Sequence, residues 1–201
     1  MKGQLIISVG REFGSGGHEI AEMLAKHYGI QLLDHNLLDE IAAGRHLDIK
    51  GLREFDEKKK NPLVSRTVRG FSSSPEENLH LLQFDYLKKK AAAGESFVIV
   101  GRCSESILKD YDCLVSVFVL GEEGKKTERI MERYHMTEEE AKKLIREKNM
   151  KRKKYHNGFC QLKWGDSRNY DISINSSRLG TEGTMEVLVD FIDRSRLEMG
   201  N

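Results

Sequence analysis

Residues 5–25, LIISVGREFGSGGHEIAEMLA, constrain the fold of this chain more tightly than any other stretch. Leu5-Ile6-Ile7-Ser8-Val9 is an apolar, β-branched run of the kind that forms a strand buried on both faces. A glycine-rich turn from Gly10 to Gly17 follows, and Ile20, Ala21, Met23, Leu24 and Ala25 then recur at helical spacing. Strand, glycine loop and helix in succession are the context in which a glycine cluster points to phosphate. Glycine lets the backbone turn sharply and bring N–H groups close to an anion. The helix behind adds unpaired donors and the positive end of its dipole.

The loop departs from the phosphate-binding pattern G-x-x-x-x-G-K-[ST]. Gly14-Ser15-Gly16 is in place, but Gly17 and His18 stand where Lys and Ser/Thr belong, and Arg11 replaces the leading glycine. Two other readings compete: a tight strand–helix turn that binds nothing, and a dinucleotide fingerprint in which Glu19 replaces the third glycine. Phosphate binding through Arg11, Gly14, Ser15, Gly16, Gly17 and His18 leads, with the missing cation supplied from elsewhere.

A length of 201 residues fits one domain spanning 1–201 and holds a sizeable core. Lys+Arg 33 against Asp+Glu 32 nearly cancel, so the chain as a whole is no polyanion binder, and no nucleic-acid partner is expected. Cys103, Cys113 and Cys160 are odd in number and lack metal spacing; with no secretory signal they argue for a reducing cytoplasm. No apolar run approaches about 18 residues, so no membrane span is expected.

Ile30-Gln31-Leu32-Leu33 reads as a second strand, which places Asp34 at a carboxyl end, where open α/β sheets hold ligands; capping the next helix is its alternative role. Residues 36–60 read as two short helices punctuated by Gly44 and Gly51, and Lys58-Lys59-Lys60 as a solvated face. Residues 61–75 lack a period and read as a mobile loop whose Arg66 and Arg69 could meet a phosphate or simply face solvent. A helix over 76–93 leads into Phe97-Val98-Ile99-Val100, a buried strand with Arg102 just beyond its carboxyl end. An arginine there is hard to bury without an anion, whereas Cys103 reads as a small buried filler.

Residues 114–120 form the clearest central strand, and residues 122–134 a helix. Thr137 with Glu140 is a capping box for a further helix. Its apolar face of Ala141, Leu144 and Ile145 continues at helical spacing to Lys148 and Arg152, turning basic along one stripe. That stripe is either a solvated helix end or a cationic lid over phosphates. Ile172-Ser173-Ile174 is a short strand running into Asn175-Ser176-Ser177, and a helix from Gly180 to about Arg196 closes the chain. Strands near 5, 30, 97, 114 and 172, each trailed by helix, predict an α/β fold: a three-layer parallel sheet wrapped by helices.

With these pieces in order, the chain resembles the cytidylate kinase-like family, P-loop relatives of the nucleoside monophosphate kinases. The similarity runs through REFGSGGHEIA, LLDHNLLDEIA, FVIVGRCSESIL, KRKKYHNGF, KWGD and NYDISINSS, nearly the whole chain. True cytidylate kinases carry Gly-Ser-Gly-Lys-Gly-Thr in the loop, so the lysine that draws the γ-phosphate and the hydroxyl that holds Mg²⁺ are both replaced here.

The resemblance implies a P-loop kinase fold with an acceptor-binding region about 35–90 and a lid about 137–165. It also implies ATP and Mg²⁺ as cofactors and phosphoryl transfer to a nucleoside monophosphate, CMP or dCMP by analogy. Arg11, Arg102, Lys148 and Arg152 are the candidate cations. Arg102 matches the arginine of the family's Gly-Arg segment, and Arg152 matches a lid arginine, although Asn149 replaces the acidic residue usual beside it. Asp34 matches the aspartate that orients the acceptor or a Mg²⁺ water. Asn175, Ser176 and Ser177 match the loop that brackets the donor purine. A non-catalytic nucleotide-binding or sensing module, or a kinase for another small acceptor, are the alternatives that the variant loop leaves open.

Overall fold

The computed structural model describes residues 3–34, 36–45, 67–68, 71–72 and 75–198. Five strands form one parallel sheet in the order β2-β5-β1-β6-β7. These are β1 (Ile6–Arg11), β2 (Gln31–Leu33), β5 (Phe97–Val100), β6 (Leu114–Leu120) and β7 (Ile172–Asn175). β1 lies at the centre, with Ile6 to Val9 facing Phe97 to Val100 of β5 and Ile6 to Arg11 facing Leu114 to Val119 of β6. The helices are α1 (Gly17–Tyr28), α2 (Leu37–Arg45), α3 (Pro75–Ala92), α4 (Ser104–Ile107), α5 (Glu123–Tyr134), α6 (Glu138–Phe159) and α7 (Gly180–Glu198).

The two-residue period of a strand sends alternate side chains to opposite faces of the sheet. Ile7, Val9, Val98 and Val117 pack on one face with Ile20 and Leu24 of α1 and Leu188 and Ile192 of α7. Ile6, Phe97 and Ile99 pack on the other with Leu37 and Ile41 of α2 and Leu87 and Ala91 of α3. These side chains are almost wholly enclosed, and each large one contributes about 1.5–3 kcal/mol of burial. The result is three layers, as the strand pattern predicted.

α5 and α6 pair through Ile130, Ala141 and Ile145, with Phe13 of the glycine loop against them. The capping box at the start of α6 is formed: the Thr137 amide donates to Glu140 at 2.8 Å, and the Glu140 amide donates to Thr137 Oγ1 at 3.4 Å. Two sequence expectations change. α2 runs through Gly44 to Arg45 rather than stopping at the glycine, since helical hydrogen bonding tolerates a single glycine. Within the stretch expected to be an aperiodic loop, β3 (Thr67–Val68) and β4 (Phe71–Ser72) pair antiparallel. Gly51, Lys58 to Lys60, Arg66 and Arg69 lie outside the described residues. Among the described residues, no helix is long and apolar enough to cross a membrane.

Candidate active site

The carboxyl ends of β1, β2 and β5 lie side by side, and each delivers one charged residue. Arg11 ends β1, Asp34 follows β2, and Arg102 follows β5 by two residues. Asp34 Oδ1 is 3.9 Å from Arg11 Nη2, and its other oxygen is 3.2 Å from His18 Nδ1 at the start of α1. Arg11 reaches across β1 to lie against Gly101, where any Cβ would collide with its Nη1.

Gly101 (φ 75°), Arg102 (φ 61°) and Cys103 (φ 56°) are three successive left-handed residues. For the two with side chains this conformation costs about 1–2 kcal/mol each, the kind of strain that gathers at functional sites. Hydrogen bonds hold the turn: the Gly101 amide donates to the Val9 carbonyl at 3.1 Å, and Ser104 Oγ donates to the Gly101 carbonyl at 2.8 Å. Ser8 and Ser104 share a buried hydroxyl pair at 2.6 Å behind it. Arg102 is thereby projected from a rigid strand end.

The glycine loop is a tight cradle. Gly16 caps α1 with φ 77°, and a Cβ there would lie 2.6 Å from Arg129 Nη1 of α5, so glycine lets a guanidinium approach the loop. Arg129 pairs with Glu19 at 3.0 Å. A cleft of about 710 Å³, its open mouth included, lies over Gly14 to Glu19, and Arg11, Arg129, Arg133 and Arg152 all line it. Four arginines thus surround the positive end of α1 where the usual lysine is missing. The nearby Lys126 is not an equivalent cation, because its buried ammonium is neutralised by Glu12 at 2.7 Å.

α6 closes over the loop through its middle turn. The Phe13 amide donates to Asn149 Oδ1 at 2.7 Å, Arg152 donates to the Arg11 carbonyl at 3.2 Å, and its guanidinium sits 5.5 Å from the Phe13 ring centroid. Asn149, in place of an acidic residue, therefore accepts from the loop backbone. Lys148 is exposed and lines neither this cleft nor the next.

A second cleft, about 630 Å³ with its mouth, lies between the β5–α4 turn and α6. Arg102, Lys151, Tyr155 and Trp164 line it, and it shares Arg11, Asp34 and Arg152 with the first. At its base Glu105 Oε1 lies 2.6 Å from His156 Nε2, both side chains nearly sealed from solvent. Burial opposes charge on His156, but the hydrogen bond and negative charge of Glu105 outweigh it and raise the imidazole above its ordinary range. Interaction between the neighbouring Cys103 and Cys160 thiols pushes the Cys103 thiol up, reinforced by burial, and holds Cys160 below the usual thiol range. Cys103 is buried as expected, and its sulfur lies within 4.8 Å of ligand atoms of both Cys160 and His156.

Ser15 and Ser176 knit the loop together rather than facing a cleft freely. Ser15 Oγ donates to the Glu12 carbonyl at 2.9 Å, and Ser176 Oγ donates to the Ser15 carbonyl at 2.6 Å. Asn175 Oδ1 accepts from the Ser177 amide at 3.0 Å, and Ser177 Oγ accepts from the Glu122 amide at 2.8 Å. Ser176 and Ser177 still border an open groove beside Gly14, together with Lys125 and Arg129. Arg129 and Arg133 escaped the sequence reading; Lys151 belongs to the basic cluster around Lys148 and Arg152 that reads as a cationic lid, and Trp164 entered only through the KWGD resemblance.

A parallel sheet of this order, with a glycine loop after its central strand and a helical lid over the strand ends, defines a P-loop kinase-like α/β protein. The model of the cytidylate kinase-like family matches residues 6–178, and the chain belongs to that family. It is 25% identical over 193 residues to the cytidylate kinase of Pyrococcus abyssi, covering 96% of each chain. An uncharacterised protein from Eubacterium ventriosum superposes with TM-score 0.76 at 38% identity, over 94% of this chain and 99% of the other. A gluconokinase from Sinorhizobium meliloti, 15% identical, shares the fold with TM-score 0.57 over 98% of this chain and 95% of its own.

Proposed function

We propose that this chain is an ATP-dependent kinase that transfers the γ-phosphoryl group to a nucleoside monophosphate, CMP or dCMP. One observation carries the reading: two clefts meet at Arg11, Asp34 and Arg152 over the carboxyl ends of the strands. A donor phosphate in the glycine-loop cleft and an acceptor in the Arg102 cleft would come together there. Phosphoryl transfer depends on positioning and charge neutralisation more than on covalent chemistry. Arg11, Arg102 and Arg152 neutralise the transferring group, and the amides of Gly14 to His18 hold its neighbours. The groove beside Ser176 and Ser177 suits the donor base.

The polyphosphate of ATP fits this cradle of amides and guanidinium groups. Asp34, the carboxylate at the junction of the two clefts, would hold Mg²⁺ by exchanging its contacts with Arg11 and His18 for the ion. The ion held there would offset the negative charge of the donor phosphates during transfer. The name of the Pyrococcus relative supports CMP as acceptor, and free thiols at Cys103, Cys113 and Cys160 suit a reducing cytoplasm.

The replacement of the loop lysine by Gly17, with Lys126 neutralised by Glu12, favours one alternative: a module that binds nucleotide without turning it over. The deciding experiment is ADP release from Mg-ATP with CMP, dCMP, UMP, AMP, GMP or small alcohols as acceptors. Release that depends on a pyrimidine monophosphate supports the kinase. ATP binding by calorimetry, with no release for any acceptor, supports the sensing module.

A further inference from the structure

Cys103, His156 and Cys160 come from two distant segments and converge beneath the Arg102 cleft. One ligand atom from each lies within 4.8 Å of the other two. His156 lies in the last turn of α6 and Cys160 caps that helix, the Cys160 amide donating to the His156 carbonyl at 2.8 Å. Cys103 arrives from the other side, held by the left-handed turn after β5. Cys103 and His156 are buried, and Cys160 is half-buried.

We propose that these three side chains form a binding site for a soft divalent transition metal, Zn²⁺ by ligand type, joining the turn that carries Arg102 to the end of the lid helix. Two thiols and an imidazole are the donor set that Zn²⁺ prefers over harder cations. Zinc–sulfur and zinc–nitrogen bonds of about 2.3 and 2.0–2.1 Å place tetrahedral ligand atoms roughly 3.5–3.8 Å apart. The cluster needs to contract by only about 1 Å to reach that spacing. Glu105 supplies the outer support that metal-bound histidines use: its carboxylate lies 2.6 Å from Nε2, and a metal on the other nitrogen would replace the 3.3 Å contact of Nδ1 with Asn157 Oδ1. The cleft reaches Cys103 and His156, which gives the ion an entry path and leaves a fourth coordination position toward water.

Metal bound here would fasten both walls of the cleft, fixing Arg102 on one side and the segment leading to Trp164 on the other. Nothing in this site requires the cleft to transfer phosphate, so the metal can be tested without an activity assay.

The test uses the full chain, reduced with a phosphine, stripped with a chelator and desalted. Titration with Co²⁺ should give thiolate-to-cobalt absorption that saturates at one ion per chain, that Zn²⁺ abolishes, and that accompanies a rise in Tm. Cys160→Ser should lose the absorption. Glu105→Gln should keep it with affinity weakened about 10–100-fold, a readout that holds even if the cysteine variant folds poorly. Cys113→Ser, away from the cluster, should behave as the parent. The proposal is overturned if the reduced parent shows no thiolate-to-cobalt absorption, if zinc binds well below one per chain, or if Cys113→Ser removes the signal. A Cys103–Cys160 disulfide that persists under reductant and excludes metal overturns it equally.

Discussion

The two clefts share a border and differ in how they are built. The glycine-loop cleft is assembled largely from one continuous segment, residues 11–19, with arginines from α5 and α6 leaning over it. The Arg102 cleft draws its walls from residues 10–11, 34, 100–105, 151–156, 164 and 170, and each segment contributes only a few side chains. The first is a local motif with borrowed charge; the second exists only once the sheet is formed. The contrast separates two jobs: an amide cradle needs consecutive residues, whereas a shaped acceptor pocket needs side chains converging from several directions.

The sharpest way to break this division is to remove a cation from the shared border and one from each side. Arg11→Ala, at the border, should lower kcat by about 10²–10³-fold, as loss of a charge-stabilising donor does. Arg102→Ala should lower kcat comparably and raise KM for the acceptor while KM for ATP holds. Steady-state kinetics with both substrates varied would separate the two effects, and circular dichroism would show that the fold persists. Equal disturbance of both KM values by Arg102→Ala would erase the distinction between the clefts.

Gly101→Ala tests the mechanical link between them. A methyl group there must adopt a left-handed conformation and displace the Arg11 guanidinium. The expected loss is about 1–3 kcal/mol of stability, read by denaturant unfolding, together with reduced turnover. Stability and rate both at parental values would mean that the turn is not held as described.

Effects should be smaller on the donor side. Arg129→Ala removes one of four arginines over the loop and should raise KM for ATP about tenfold, the scale of one charge-assisted hydrogen bond, with acceptor KM unchanged. Lys148→Ala should change neither parameter by more than about twofold, because an exposed lysine outside both clefts contributes little beyond a screened charge. A large loss in Lys148→Ala would support the sequence-based expectation of a catalytic lysine instead.

The same division explains what the sequence revealed. The central strands β1, β5 and β6 were legible because buried β-branched runs such as Val98-Ile99-Val100 carry a strong local signal, and the half-buried edge strands β2 and β7 because each short apolar run precedes a turn and a helix. Asp34 and Arg102 were legible at strand ends because sheet topology places them without detailed packing, whereas Arg11, read as part of the glycine turn, ends β1 instead. Arg129 and Arg133 were not, since they lie on a helix whose docking angle depends on the contact of Ile130 with Ala141 and Ile145. Lys148 and Arg152 share a helical stripe in sequence, yet Asn149 and Arg152 make the contacts with the loop. The cysteine cluster had one local sign, the four-residue step from His156 to Cys160. Its third member, Cys103, comes from across the fold, and only the pairing of β5 with β1 and the docking of α6 bring it there.

The central claim is that arginines at the junction do the work of the absent loop lysine in phosphoryl transfer. The most direct measurement is to incubate the chain with Mg²⁺, CMP and ATP labelled at the γ-phosphate, then follow the label into separated products. The account predicts label in CDP, formed in step with ADP and nearly abolished by Arg11→Ala. ATP that binds with measurable heat while its label never leaves for CMP, dCMP or any other acceptor would contradict it.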